Sequence, residues 1–244
     1  MGKFVLTNVR LFTGGADLTG ASNKVELTTK IEEKETTNYG SQGYKELLGG
    51  LASAELQGEG QWEAGDPSKV DDAAWVQLGG LGAWSVGPNG AAVGGLAYLT
   101  KALRCDYKLG DAVGEVAPWT SSGKSSWPLA RGQFAHPPGT ARTASGTGTG
   151  LNLGAVTVGR RMYAALHVLS VAGTTPSITG RVESSVDNSF ASPTTRLTFT
   201  AANTVSGEIL RTDGTAITDT WWRVAWTITG TTPSFLFAST LGIW

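Results

Sequence analysis

The chain has 244 residues, 40% of them apolar and only 16% charged, with 34 glycines and nine tryptophans. Charge well below the roughly 25% usual in soluble chains, joined to so much glycine and aromatic, describes a folded β-rich protein and excludes a disordered one. A formal net charge of −1 argues against binding nucleic acid by phosphate neutralisation, and one cysteine with two distant histidines, His136 and His167, leaves neither a disulfide framework nor a metal shell.

Neither metal nor cofactor is therefore expected, and catalysis is not expected either. The apolar run in residues 4–12 is broken by Thr7, Asn8 and Arg10, so it lacks a signal-peptide core. Leu6 stands where an N-myristoylation motif wants Ser or Thr. No stretch approaches the roughly 20 apolar residues that span a bilayer, so a soluble chain with no membrane partner is expected.

The first half reads as strands with one helix. Residues 4–12 form a strand candidate before a turn at 14–17. Residues 25–37 alternate, with Val25, Leu27, Thr29 and Ile31 on one face and Glu26, Thr28, Lys30 and Glu32 on the other. Residues 38–50 follow, carrying Tyr39, Tyr44, Leu47 and Leu48 among glycines and polar residues. Alternation resumes over 52–63: Ala54, Leu56 and Trp62 face in, opposite Glu55, Gln57, Glu59, Gln61 and Glu63. Asp66 and Pro67 open a helix whose stripe is Val70, Ala74 and Leu78, and Gly79 and Gly80 stop it. Further strands are expected at 82–86, 97–109 and 114–117, with a less regular one at 126–134.

The composition then switches. All nine lysines lie at or before Lys124, whereas residues 141–244 carry seven arginines and none. A Pro and Gly/Thr run over 135–150 reads as a linker, which places a boundary near 141. Residues 1–140 hold 15 acids against 12 bases, and residues 141–244 hold 5 against 7. Strands are expected in the second half at 161–171, 177–185, 195–201, 221–229 and 234–241, separated by turns at 173–176, 192–193, 213–214 and 230–233. That pattern is an all-β sandwich.

Motifs of chemistry are sparse. Ser121-Ser122-Gly123-Lys124 has the Ser-x-x-Lys spacing and Gly123-Lys124-Ser125 ends like a phosphate loop, but no helix pattern follows. The glycines at 146, 148 and 150 lack the flanking strand and helix of a dinucleotide loop. His167 alternates with Tyr163, Ala165, Leu169 and Val171 and reads as a packed histidine; Cys105 alternates with Leu103 and Tyr107 and reads as a buried thiol. Trp222, Val224, Trp226 and Ile228 share a core face, which leaves Trp221 and Arg223 as a possible surface binding pair for a sugar ring or a neighbouring domain. The main constellation is carboxylate: Glu26, Glu32, Glu55, Glu59 and Glu63 on one strand face, with Lys30 and Lys34 beside them.

With these elements in order, the first 135 residues resemble the tail tube proteins of long-tailed bacteriophages. The resemblance is carried by Phe4-Val5-Leu6-Thr7-Asn8, the Asp17-Leu18-Thr19 turn and the acidic strand running into Thr36-Thr37-Asn38-Tyr39-Gly40. It continues through Gly49-Gly50-Leu51, Ala54-Glu55-Leu56-Gln57-Gly58, the helix at Asp71-Asp72-Ala73-Ala74-Trp75, Gly95-Leu96-Ala97-Tyr98, and the run from Leu109 to Glu115. The second half, with its Ser192-Pro193-Thr194 and Trp221-Trp222-Arg223-Val224, looks like the β-sandwich additions found on phage structural proteins.

The resemblance implies a mainly β fold: a tail-tube β-sandwich or barrel with one short flanking helix over residues 1–140, then a second all-β sandwich, peripheral and decoration-like, over 141–244. It implies a virion structural protein that polymerises as stacked rings, usually hexameric in that family, into the tube through which DNA is ejected. The implied partners are further copies of the chain, tail terminator and tail tip proteins, and the tape measure protein and double-stranded DNA in the lumen. The implied place is the phage tail, assembled in the bacterial cytoplasm. Glu26, Glu32, Glu55, Glu59 and Glu63 would line the lumen, and Thr37, Asn38, Tyr39, Tyr44, Leu47 and Leu48 would form the ring-stacking loop. The alternative from another class is a carbohydrate-binding or receptor-recognition module of a phage adhesin, resting on Trp221 and Arg223.

Overall fold

The computed structural model describes residues 5–66 and 69–244. The start of the strand expected at 4–12, and Pro67 at the head of the helix, lie outside the described residues. β1 (Arg10–Thr13) turns at Gly14 and returns as β2 (Ala16–Asp17). β3 (Ser22–Glu35) and β4 (Leu47–Gln61) pair as a long hairpin, and α1 (Val70–Gln77) follows. β5 (Leu81–Gly87), β6 (Leu96–Arg104), β7 (Lys108–Leu109), β8 (Pro118–Ser125) and β9 (Ala130–His136) complete the first half. The second half contains β10 (Gly146–Thr147), β11 (Leu151–Asn152), β12 (Met162–Ser185), β13 (Thr194–Thr198), β14 (Ser206–Arg211) and β15 (Trp221–Ile243).

The fold is mainly β, and α1 is the single α-helix among the described residues. Its buried residues are Val70, Ala73 and Ala74, and Asp71 and Asp72 complement the positive end of the helix dipole. Leu78, expected on that stripe, is the C-cap and is exposed, because the helix ends one residue short of it.

Several sequence expectations change in detail. Residues 114–117 form no strand, and β14 was not foreseen because Ser206-Gly207-Glu208 gives it a weak β signature. The run read as a linker contains β10, paired with Trp226 and Ala225 of β15. Cys105 is exposed, since β6 ends at Arg104 and the alternation stops there.

The expected turns at 173–176 and 230–233 are kinks inside β12 and β15. Both carry the sequence Gly-Thr-Thr-Pro-Ser, and they lie opposite one another at Thr174 and Thr231. Thr175 (φ 47°) and Thr232 (φ 48°) each enter the left-handed region, which bends the strand without ending its pairing. A Cβ on Gly173 would meet the Thr232 carbonyl oxygen at 2.8 Å, and one on Gly230 would meet Pro176 Cα at 2.9 Å, so only glycine lets the two backbones cross.

The strands join in one antiparallel sheet system ordered β13-β12-β15-β9-β6-β5-β1-β2, with β8 and the β3–β4 hairpin branching from β6. Residue 141 therefore does not interrupt the sheet: β9 pairs with β15 from His136–Ser239 to Gly132–Gly242. Each half has its own core. One cluster centres on Leu11, Leu56, Trp84 and Trp119, the other on Phe199, Trp222, Phe235 and Phe237.

Two further clusters bridge the halves. Phe12 and Phe134 meet Leu169 and Ala238 in one, and Ala83, Leu99 and Ala130 meet Tyr163, Ala165 and Ile209 in the other. Exposing Phe12, Phe134 and Leu99 would cost about 2 kcal/mol for each side chain, which is a large part of an ordinary domain's roughly 5–15 kcal/mol. A fragment ending at Pro138 is therefore expected to lose cooperative thermal unfolding and to aggregate, although the sequence reading makes the second unit peripheral. A monodisperse fragment that melts sharply in calorimetry would show that the seam is not needed.

Candidate functional site

The β3–β4 hairpin leaves the body as an arm. Up to Ala54 and Leu56 its inner face is buried, and β4 is flanked by β8 as far as Glu55–Lys124. Beyond that point residues 28–53 are exposed, except Ser41. At about 3.3 Å per residue the eight residues from Thr28 to Glu35 carry the tip some 25 Å outward. Alternation of β3 and pairing with β4 make this ribbon because Val, Thr, Ile and Leu recur every second residue, yet nothing among the described residues buries it.

The tip is apolar. Ile31, Tyr39, Tyr44, Leu47, Leu48 and Leu51 are all exposed, Leu51 at 81% and Tyr44 at 79%. Leu51 sits in a bulge of β4, where two strand residues oppose one between Ile31 and Glu33. The connection is ordered by its own side chains: Asn38 accepts from Gly40 N at 2.8 Å, Ser41 Oγ accepts from Asn38 N at 3.1 Å, and Thr37 Oγ1 accepts from Glu46 N at 3.1 Å. Of the six predicted stacking residues, Thr37, Asn38, Tyr39 and Tyr44 lie in this connection; Leu47 and Leu48 begin β4 instead.

The polar face of the β3–β4 hairpin holds four of the five predicted glutamates, Glu32 on the arm and Glu26, Glu55 and Glu59 at its root, but lysines accompany them. Lys24 bridges Glu26 (3.4 Å) and Glu59 (3.6 Å), and Lys34 pairs with Glu32. Glu55 stands opposite Lys124 in register, and Lys30 opposite Ser53. The pKa of Lys24 is raised, first by its hydrogen bond to Glu26 and then by the charges of Glu26 and Glu59. Glu63 lies beyond β4 and pairs with Lys69 at 2.6 Å. Trp62 is not packed inward as the alternation suggests, because β4 has ended and its indole donates to Asp71 at 3.0 Å. Four lysines and four glutamates thus alternate on a face read from sequence as acidic, and such exposed pairs are worth little in stability.

Trp221 and Arg223 share a face, but Arg223 is already engaged. Its Nε donates to Glu183 at 2.8 Å and its guanidinium lies 4.3 Å from the centre of the Phe190 ring. Trp222 and Trp226 are buried as expected, donating to the carbonyls of Gly154 and Ala144.

Sequence reasoning missed a polar relay at the seam. His167 Nδ1 faces the Gly14 carbonyl at 2.7 Å and so carries the proton; Nε2 then accepts from Ser85 Oγ at 2.8 Å, which in turn meets Thr240 Oγ1 at 2.9 Å. A serine within reach of a histidine resembles a nucleophile and its base. Ser85, His167 and Thr240 all have no accessible surface, so no substrate can reach them. Burial pushes the His167 pKa down to about 4. Ser121 and Ser122 of the Ser-x-x-Lys match are likewise consumed: Ser121 accepts from Arg104 at 2.5 Å and Ser122 donates to Asp106 at 2.6 Å. No group of His, Cys, Asp and Glu suited to a metal exists among the described residues.

No protein-family model matches the chain, and no curated protein matches it. Among solved structures, a chain of the native gene transfer agent virion is 18% identical, covering 53% of this chain and 98% of its own, with a TM-score of 0.43. A chain of the sixfold-symmetrised anti-feeding prophage baseplate is 12% identical over 55% of this chain and 98% of its own (TM-score 0.42). The SPP1 Dit protein is 14% identical over 97% of this chain and 99% of its own (TM-score 0.37). Likenesses of this size transfer no role.

The seam histidines predict a pH dependence. His136 is also held near 4, mainly by burial, with Arg142 Nε donating to its Nε2 at 3.1 Å. Both are neutral when folded and take up a proton near pH 6.5 when unfolded, so their cost to stability grows as pH drops from 6.5 towards 4 and is constant below that, where the lowered carboxyls of Asp187, Asp213 and Asp219 begin to lose their own contribution. For His167 the loss is about 3 kcal/mol. Urea denaturation across this range should give a flatter profile for His167→Gln than for the natural protein; equal slopes would remove His167 as the cause.

Proposed function

We propose that the chain is a virion structural protein that polymerises as stacked rings into a phage tail tube, the conduit for DNA. The arm carries this reading. A two-stranded ribbon with neither face covered is marginal in water, and this one exposes six large apolar side chains between its middle and its tip. Such a segment is built to be covered by another subunit.

In this reading Thr37, Asn38, Tyr39, Tyr44, Leu47 and Leu48 are the stacking segment, and Glu26, Glu32, Glu55 and Glu59 face the lumen with their lysines. A face with four charges of each sign offers no surplus of cations to exchange for the counterions of DNA, so the duplex slides past it. Residues 1–140 form the ring unit and residues 141–244 an outer unit, welded by the seam into one protomer. Tail terminator, tip and tape measure proteins would be further partners. No observation favours the glycan-binding alternative, whose Arg223 is occupied by Glu183 and Phe190.

Electron microscopy of concentrated protein should show rings or tubes, and the triple variant Tyr39→Ser, Tyr44→Ser, Leu47→Ser should remain folded while failing to stack. Normal tubes from that variant would overturn the assignment of the tip. For the lumen, Glu55→Lys with Glu59→Lys shifts the face by four charges per protomer. Tubes of the double variant should retain duplex DNA in filter binding at 50 mM salt and lose it at 200 mM, whereas tubes of the natural protein retain none. Equal retention by both would place these side chains away from DNA.

A further inference from the structure

The body has a small hollow in the crook where the arm leaves it. Thr29 of β3 pairs there with Ala54 of β4, and with Ala52, Trp127, Leu129 and Trp244 they line a space of about 180 Å3. That is below the roughly 300–1,000 Å3 of sites for free small ligands, and it suits a single aliphatic side chain. The rim beside Trp127 is cationic. The Arg211 guanidinium lies 4.4 Å and the Lys101 ammonium 5.1 Å from the centre of the Trp127 ring, and neither joins an ion pair among the described residues.

The complementary shape stands at the other end of β8. The connection from β7 to β8 contains a tight turn, closed by Glu115 N donating to the Ala112 carbonyl at 3.3 Å. Gly114 (φ 97°) takes the third position of that turn, where a side chain would be strained. Val113 is thereby held out at the corner and is fully exposed. Asp111 and Glu115 stand two residues to either side of it, both exposed and both outside every ion pair of the described residues.

We infer that Val113 of one copy seats in the hollow of a second copy, with Asp111 and Glu115 against Arg211 and Lys101. One aliphatic knob meets one hollow of its size, and two unpaired acids meet two unpaired bases, so shape and charge select the same occupant. A chain cannot fill its own hollow. The turn precedes Pro118 and the hollow begins at Ser125, so β8 holds them about 23 Å apart. The contact therefore joins unlike surfaces of two copies, and it repeats head to tail into a ring or filament. It is small, and it gains strength by acting together with other contacts of the same assembly. The inference rests on the ring reading only for self-association, and it adds a contact that the arm tip does not make.

The test is an exchange of charge in the full chain. Asp111→Lys with Glu115→Lys should raise the concentration needed for assembly about tenfold, and so should Lys101→Glu with Arg211→Glu. All four changes together should return it to within about twofold of the natural protein. Normal assembly by either pair, or no rescue by the four, overturns the inference. If Lys101→Glu with Arg211→Glu lowers the melting temperature, crosslinking decides in its place. On a Cys105→Ser background, Val113→Cys mixed with Ala52→Cys should give a disulfide dimer under mild oxidation, and each alone little. Rings or tubes without that dimer overturn the contact and leave the ring reading standing. Crosslinked chains without rings or tubes in the microscope support the contact and remove the ring reading. A chain that stays monomeric at every concentration overturns both.

Discussion

A two-stranded ribbon exposes both of its faces, and in water that arrangement is barely stable. The β3–β4 arm extends this condition over residues 28–53, and does so with Ile31, Leu47, Leu48 and Leu51 and with tyrosines at its end. The backbone bonds between β3 and β4 and the short-range caps around Asn38 are enough to give the arm a shape. They are not enough to hide its apolar surface. Every functional reading of the chain has to supply a cover for the arm.

The body is organised to hold that arm steadily. Its root is clamped on the inner face by Leu56 against Leu11 and Trp119, and at its edge by β8. The body is also stiffer than two linked sandwiches would be. β9 and β15 share hydrogen bonds, Phe12 and Phe134 bury against Leu169 and Ala238, and His167 of the second half hydrogen-bonds to Gly14 and Ser85 of the first. A buried neutral histidine that satisfies two partners fixes one relative placement of the halves, since any slippage would leave polar groups unpaired in an apolar seam.

Much of this was legible in the sequence, and the failures have physical causes. Alternation located the arm, because Val25, Leu27, Thr29 and Ile31 repeat with period two whether or not their face is covered. The same alternation could not reveal that burial stops at Ala54, which depends on where β8 ends. The glutamates were visible with Lys30 and Lys34 beside them, but Lys124 joins the face only through the register of β8 on β4. The Gly-Thr-Thr-Pro-Ser segments carry every sign of a turn, and became kinks because β12 and β15 pair on both sides of them. Ser85 and Thr240 gave no signal at all, since a relay among His167, Ser85 and Gly14 is assembled by the fold from residues far apart in the chain.

The claim that the arm is uncovered in the single chain and covered by another copy can be measured directly by hydrogen exchange at increasing protein concentration. In dilute monomer the amides of residues 28–53 should exchange orders of magnitude faster than those of β12 and β15. In assembled protein the arm amides should become protected while the core strands stay as they were. Arm amides already protected in the monomer, or equally unprotected in assembled protein, would contradict the account.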